Sequence, residues 1–357
     1  MEPDAFDPRR ARHAMRRGIL SIGVVLILVA VVLVGVYRSD LGAEAIRDLQ
    51  NASNPVLLLA SWLIISFAFY FMGLRWRALM PPPHHPPSLG LASIICAGLL
   101  LNYAVPGPFG ELGAAWFAHK RYRLPLSDAL ATGVAARLIG LATASMLALL
   151  IWATMPLPPP TENGEVLQMA NDLIPVAAIF IGIGGALLFL LALRPGWWRA
   201  LSSVLFGRWT GPGKLSRSAR RLDQAVASLA DALSRTASRG FPAYARTVGW
   251  SIAGHVSVIA GIYVATLGLG ANPSLAGLSF TYAATTASAV ALFAFPGSQF
   301  GWDLMFFSLL VAAAGLSAPV AGAIAVFVRL QQISMMMLGA ITLSWLIQVT
   351  SSHSNPE

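Results

Sequence analysis

Apolar residues run along this chain in long blocks rather than in alternation. The blocks cover residues 19–36, 56–74, 89–105, 126–152, 173–193, 248–267, 275–295 and 319–349, with a shorter stretch, 304–316, between the last two. A helix of about 20 residues crosses the hydrocarbon core of a bilayer, and backbone polar groups in lipid must be satisfied internally. The pattern therefore predicts an all-α, polytopic membrane helix bundle of about eight spans. It lacks the roughly ten-residue alternation of an outer-membrane barrel. The first block follows Arg9, Arg10, Arg12, Arg16 and Arg17, as a signal peptide would. Its apolar core is too long for one, and Tyr37-Arg38-Ser39-Asp40 is no small-residue cleavage site, so a retained anchor is expected.

Composition agrees: 56% of the 357 residues are hydrophobic, mean hydropathy is +0.68, and 11% are charged, against about 25% in soluble domains. The net charge of +9 then reads as topology. Of the 24 basic residues, five precede the first block, Arg75 and Arg77 follow the second, and Lys120, Arg121 and Arg123 precede the fourth. Ten more lie between Arg194 and Arg246. With the N-terminus inside, these clusters all fall on the cytoplasmic face, and Glu162, Glu165 and Asp172 fall outside. We expect a plasma (inner) membrane protein with both termini cytoplasmic. The expected segments are a basic N-terminus (1–18), one transmembrane domain (19–349) with a cytoplasmic amphipathic segment (194–246), and a short tail (350–357). Each basic cluster flanks a block, which argues against nucleic acid as a partner.

Arg38 and Arg47 fall outside, and the last two, Arg137 and Arg329, are both inside apolar blocks, about 15 Å from the nearest end at 1.5 Å per residue. Each stands 26 residues after an acid that follows a Pro-Gly break. The first half reads Pro106-Gly107-Pro108-Phe109-Gly110-Glu111 and then Arg137; the second reads Pro296-Gly297-Ser298-Gln299-Phe300-Gly301-Trp302-Asp303 and then Arg329. Alternation of sides makes the two halves inverted repeats, about 89–152 and 275–349, each with a re-entrant break. Broken helices in inverted repeats recur at midplane transport sites, and helix starts after such breaks attract anions. A central arginine is costly in lipid unless paired, so Arg137, Arg329, Glu111 and Asp303, with Gly107, Gly110, Gly297 and Gly301 at the breaks, are the candidate substrate-binding residues. Pairs that only hold the bundle together are the bland alternative.

The run Leu101-Asn102-Tyr103-Ala104-Val105-Pro106-Gly107-Pro108-Phe109-Gly110-Glu111, the basic stretch near Lys120 and the Asp128–Arg137 helix resemble the lysylphosphatidylglycerol synthase transmembrane region, a flippase-like family. The Pro296–Asp303 turn is similar to that family's second signature. The resemblance adds Asn102 to the candidates and implies movement of a phospholipid or polyprenyl-linked anionic lipid between leaflets. Ala115 stands where the family often has arginine, Gly140 where it often has an acid, and Asp303 in place of the common glutamate; the second turn is one residue longer. Only a short tail follows Val349, so the aminoacyl-transferase domain of longer members is not expected, nor is synthesis of lysyl-lipid.

Other features are weaker. His84 and His85 lie in the run 81–87, which reads as a stiff connector rather than a metal clip. Cys96 alone forms no disulfide or zinc framework. In the Lys214–Arg239 stretch, Leu215, Leu222, Val226, Leu229 and Leu233 recur at helical spacing. Its Arg217, Arg220 and Arg221 suit an anionic lipid surface, while packing beneath the bundle is an equal reading. His255 reads as a satisfied core histidine before a proton relay. No nucleotide loop, zinc-protease helix or serine elbow occurs, so no cofactor, metal or catalytic residue is expected. Membrane lipid is the expected partner, and a homo-oligomer is compatible with the sequence. A lipid-headgroup enzyme and a non-catalytic scaffold of a lipid or glycan assembly complex stand as the alternatives.

Overall fold

Eleven helices and no strand make up the described part of the computed structural model, which covers residue 47 and residues 54–82, 86–104, 109–155, 165–194, 196–206, 214–292 and 298–352. In chain order they are α1 (Pro55–Leu79), α2 (Ser88–Ala104), α3 (Phe109–Tyr122), α4 (Leu126–Thr154), α5 (Glu165–Leu193) and α6 (Gly196–Phe206). They continue with α7 (Lys214–Ala237), α8 (Phe241–Gly268), α9 (Leu275–Leu292), α10 (Ser298–Ala312) and α11 (Ala318–Ser352). Among the described residues, five stretches are long and apolar enough to cross a membrane: α1, α4, Pro175–Leu193 of α5, α8 and Ala318–Thr342 of α11. The chain is thus a multi-pass membrane protein, but the expected count of about eight spans is not reached among these residues. The 19–36 block lies outside them. α2 is described to Ala104 and α9 to Leu292; Pro106-Gly107 and Pro296-Gly297 lie outside the described residues.

Large apolar side chains such as Val56, Phe67, Phe180, Ile183, Val256 and Ile341 are exposed. In water so much exposed apolar surface would be a liability; on a membrane bundle it is the face that meets lipid. Inside, α4 buries a row of small residues, Ala129, Ala135, Ala136, Gly140, Ala144 and Ala148. Small side chains let helix backbones approach closely where no hydrophobic drive operates between helices.

Four helices on each side of the α5–α7 insertion form two corresponding units, α1–α4 and α8–α11. α4 begins at residue 126 and α11 at 318, a displacement of 192 that also relates Arg137 to Arg329 and Glu111 to Asp303. Within each unit the second and third helices fold back on one another: Gly110 N–H reaches Asn102 across α2–α3, and the Thr281 hydroxyl reaches Leu309 O across α9–α10. Between units the contacts are reciprocal, with α2 packed on α11 and α9 on α4. The lead helices α1 and α8 form the largest interface. Asn54 N–H donates to Gly268 O (3.0 Å), Ser61 to Gly261 O (2.7 Å) and Ser257 to Ile64 O (2.5 Å). One number rises as the other falls, so α1 and α8 run antiparallel. The antiparallel lead helices and the reciprocal contacts between the units are features that inverted repeats share.

The amphipathic segment is helix α7, and its second half packs beneath the first unit. Ala232 and Leu233 are buried in the core that also holds Trp76, Ala129 and Ile139, with Leu229 packed against it. Arg235 of α7 pairs with Asp128 of α4 at 2.6 Å. Of Arg217, Arg220 and Arg221, on the first half of α7, only the backbone is described.

Candidate functional site

A cavity of about 320 Å³ opens between the two units, walled by α1, α2, α3, α4, α8, α9, α10 and α11. That is the lower end of the roughly 300–1,000 Å³ of ligand pockets. Its wall is mostly apolar, so the few polar groups in it decide what it can hold.

Three of them come from the first Pro-Gly signature. Asn102, near the end of α2, takes the Gly110 N–H on its side-chain oxygen (2.6 Å) and donates from its amide to Glu111 (3.2 Å). It thereby satisfies a free N–H in the first turn of α3 and aims Glu111. Gly110 is buried against Gly98 O and Asn102, where a side chain would collide with both. Glu111 forms an ion pair with Arg137, the twelfth residue of α4. Asn102, Gly110, Glu111 and Arg137 all line the cavity.

The second signature makes the same pair in other surroundings. Arg329, the twelfth residue of α11, donates from Nε to Asp303 (3.1 Å) and from Nη1 to Gln332 (3.0 Å). Its guanidinium lies 5.3 Å from the ring centroid of Trp302, a cation–π distance. Trp302 and Gln332 line the cavity, whereas Asp303 and Arg329 are not among its lining residues. The two expected pairs both form, therefore, and one of them stands a side chain back from the cavity. Gly301 is half-buried in the first turn of α10; Gly107, Gly297, His84 and His85 lie outside the described residues.

Arg75 corrects the sequence reading. Its place after an apolar block marks it as a cytoplasmic flanking charge, yet α1 continues to Leu79, and Trp76, Leu79 and Met80 around it are all buried. Arg75 is 9% exposed and lines the cavity. Its guanidinium rests against Gly140, one turn beyond Arg137 on α4, where any side chain at 140 would overlap it. The Arg75 Nε has no hydrogen-bond partner, and no ion pair is formed by Arg75 among the described residues. The apolar residues that follow it, Trp76, Ala78 and Leu79, are the signal that could have placed it inside.

His255 is satisfied on both ring nitrogens. Gly140 O can only accept, so Nε2 donates to it (2.9 Å); in the neutral ring Nδ1 then accepts from the Tyr282 hydroxyl (3.1 Å). Gln331 is buried and also lines the cavity. Adjacent amides in a span, Gln331-Gln332, are rare enough to mark a polar site. Among the described residues no group of three or more His, Cys, Asp or Glu could hold a metal ion.

The family model of the lysylphosphatidylglycerol synthase TM region matches residues 19–340. The chain belongs to this family. The match takes in both ion pairs, the residues that line the cavity and the insertion, and it ends within α11. No match was found among curated proteins or among solved structures.

Proposed function

We propose that this member of the family is a flippase-like transporter that moves a phospholipid or polyprenyl-linked anionic lipid between leaflets. One observation carries the reading: an ion pair with an arginine, Glu111–Arg137, stands in the wall of a headgroup-sized cavity between two inverted units. An arginine inside a span is a functional-site hypothesis by default, and its planar fork suits phosphate. Glu111 holds Arg137 and yields it to the substrate's phosphate. Asp303–Arg329 is the second half of the site, reached through Trp302 and Gln332. The family's name refers to a phospholipid with a phosphodiester headgroup, which supports a lipid-related role.

The test is leaflet exchange in proteoliposomes with a fluorescent anionic phospholipid, read by bleaching the outer leaflet. Exchange above protein-free vesicles that falls in Arg137→Gln supports the transporter. Intact lipid with no exchange removes it, and a new lipid product would favour the headgroup enzyme.

Arg217, Arg220 and Arg221 are proposed to face an anionic lipid surface on the cytoplasmic side, worth about 1 kcal/mol each at most. Neutralising all three is expected to lower copurifying anionic lipid. Unchanged lipid and unchanged exchange would assign α7 to packing alone.

A further inference from the structure

Among the described residues, two buried polar atoms on side chains that line the cavity are left without partners, and they have opposite chemistry. The first is the Arg75 Nε donor. The second is the Gln331 Oε1 acceptor, on a residue 1% exposed. Its orientation follows from its neighbours. The Ser66 hydroxyl donates to Trp62 O (2.8 Å), so it can only accept from Gln331, and the amide Nε2 donates to it (3.1 Å). The carbonyl end of Gln331 is the one left over. Ser66 precedes Arg75 by nine residues, about 13 Å along α1, a gap that two long side chains and a small headgroup can fill.

Charge narrows the ligand further. Arg75 and Arg137 repel one another, and Glu111 is the carboxylate that lines the cavity with them. With His255 neutral, these groups leave one net positive charge. One further anionic charge would neutralise it. A zwitterionic headgroup would not, since its ammonium restores the excess. A buried cation without a counter-ion is costly, so its retention points to a ligand rather than to stability.

We propose that Arg75 and Arg137 form a two-cation clamp for one monoanionic phosphodiester lipid headgroup, whose free hydroxyl donates to Gln331. This rests on the lipid-binding part of the proposed function and adds to it a charge state, a headgroup class and two residues. It does not depend on transport.

The experiment is native mass spectrometry of the purified full chain with equal amounts of phosphatidylglycerol and phosphatidylethanolamine, together with thermal melting. Wild type should retain phosphatidylglycerol over phosphatidylethanolamine by about tenfold or more, the size of one charge-assisted hydrogen bond. Arg75→Gln should lose that preference while melting at the same temperature or higher. Arg75→Lys, which keeps the charge, should retain part of it. Gln331→Leu should bind phosphatidylglycerol and phosphatidylmethanol, which has no free hydroxyl, equally well. A preference untouched by Arg75→Gln, or a lowered melting temperature in that variant, would make Arg75 structural and overturn the clamp. Displacement of the lipid by millimolar inorganic phosphate would assign the site to the free anion and overturn the headgroup. If the preference and its dependence on Arg75 hold while leaflet exchange is absent, the clamp stands and the transporter reading fails.

Discussion

In the first unit Arg137 meets Glu111 at the wall of the cavity, with Arg75 as a second cation beside it; in the second, Arg329 meets Asp303 behind the ring of Trp302. Upstream of the Pro-Gly breaks the displacement is smaller, 190 at Pro106 and Pro296 and 189 at the ends of α1 and α8, which carries Arg75 to Val264 or Ala265. One unit therefore has a surplus cation where the other has an uncharged side chain. The arginine at the twelfth position of the fourth helix is common to both, and what surrounds it differs. A duplicated scaffold can in this way hold one pair behind an aromatic ring and set its counterpart directly in the cavity wall. The surplus charge, rather than the pair itself, distinguishes a site built to receive an anion from one that is already neutral.

The comparison breaks most readily at Arg329. Arg329→Gln leaves Asp303 without its cation and removes the contact with Trp302, and breaking a buried pair costs about 3–5 kcal/mol. Asp303 is partly exposed, so about 2–3 kcal/mol is the expected loss. Arg137→Gln should cost less, about 1 kcal/mol, because Arg75 remains nearby as a cation for Glu111. Thermal melting of the two variants in the same detergent measures the difference. Equal losses would mean that the two pairs have the same structural role, and that the cavity confers no distinction.

Much of this arrangement was legible in the sequence. The helices that lead to the two Pro-Gly signatures and those that follow them are where the apolar blocks put them, while the breaks themselves lie outside the described residues. The 26-residue spacing brought each acid to its arginine, because a hairpin of fixed length returns the third helix of each unit to the fourth. Arg75 reads as a flanking charge because the helix outlasts its apolar run by one turn, and Trp76, Ala78 and Leu79 beyond it are the weaker signal of burial. The unequal access of the two pairs to the cavity was not legible either. It depends on where Trp302 and Gln332 place their side chains, which is a matter of packing across helices far apart in the chain. Gln331 went unnoticed because the arginine two residues before it was the stronger signal.

The smallest effect expected sharpens the comparison at Asn102. Its amide both receives the Gly110 N–H and donates to Glu111, so it fixes the start of α3 and the position of the carboxylate together. Asn102→Ala removes both bonds. Loss of the helix-start acceptor should lower stability by about 1 kcal/mol. Loss of the second bond leaves Glu111 with one donor fewer competing for its oxygens, so it holds Arg137 more firmly, and a headgroup must displace a stronger pair. Retention of anionic lipid should then fall a few-fold, in line with one neutral hydrogen bond of about 1 kcal/mol. Melting and lipid retention on the same sample separate the two effects. A drop in melting with unchanged retention would show that Asn102 serves only the helix start, and that Glu111 is positioned by Arg137 alone.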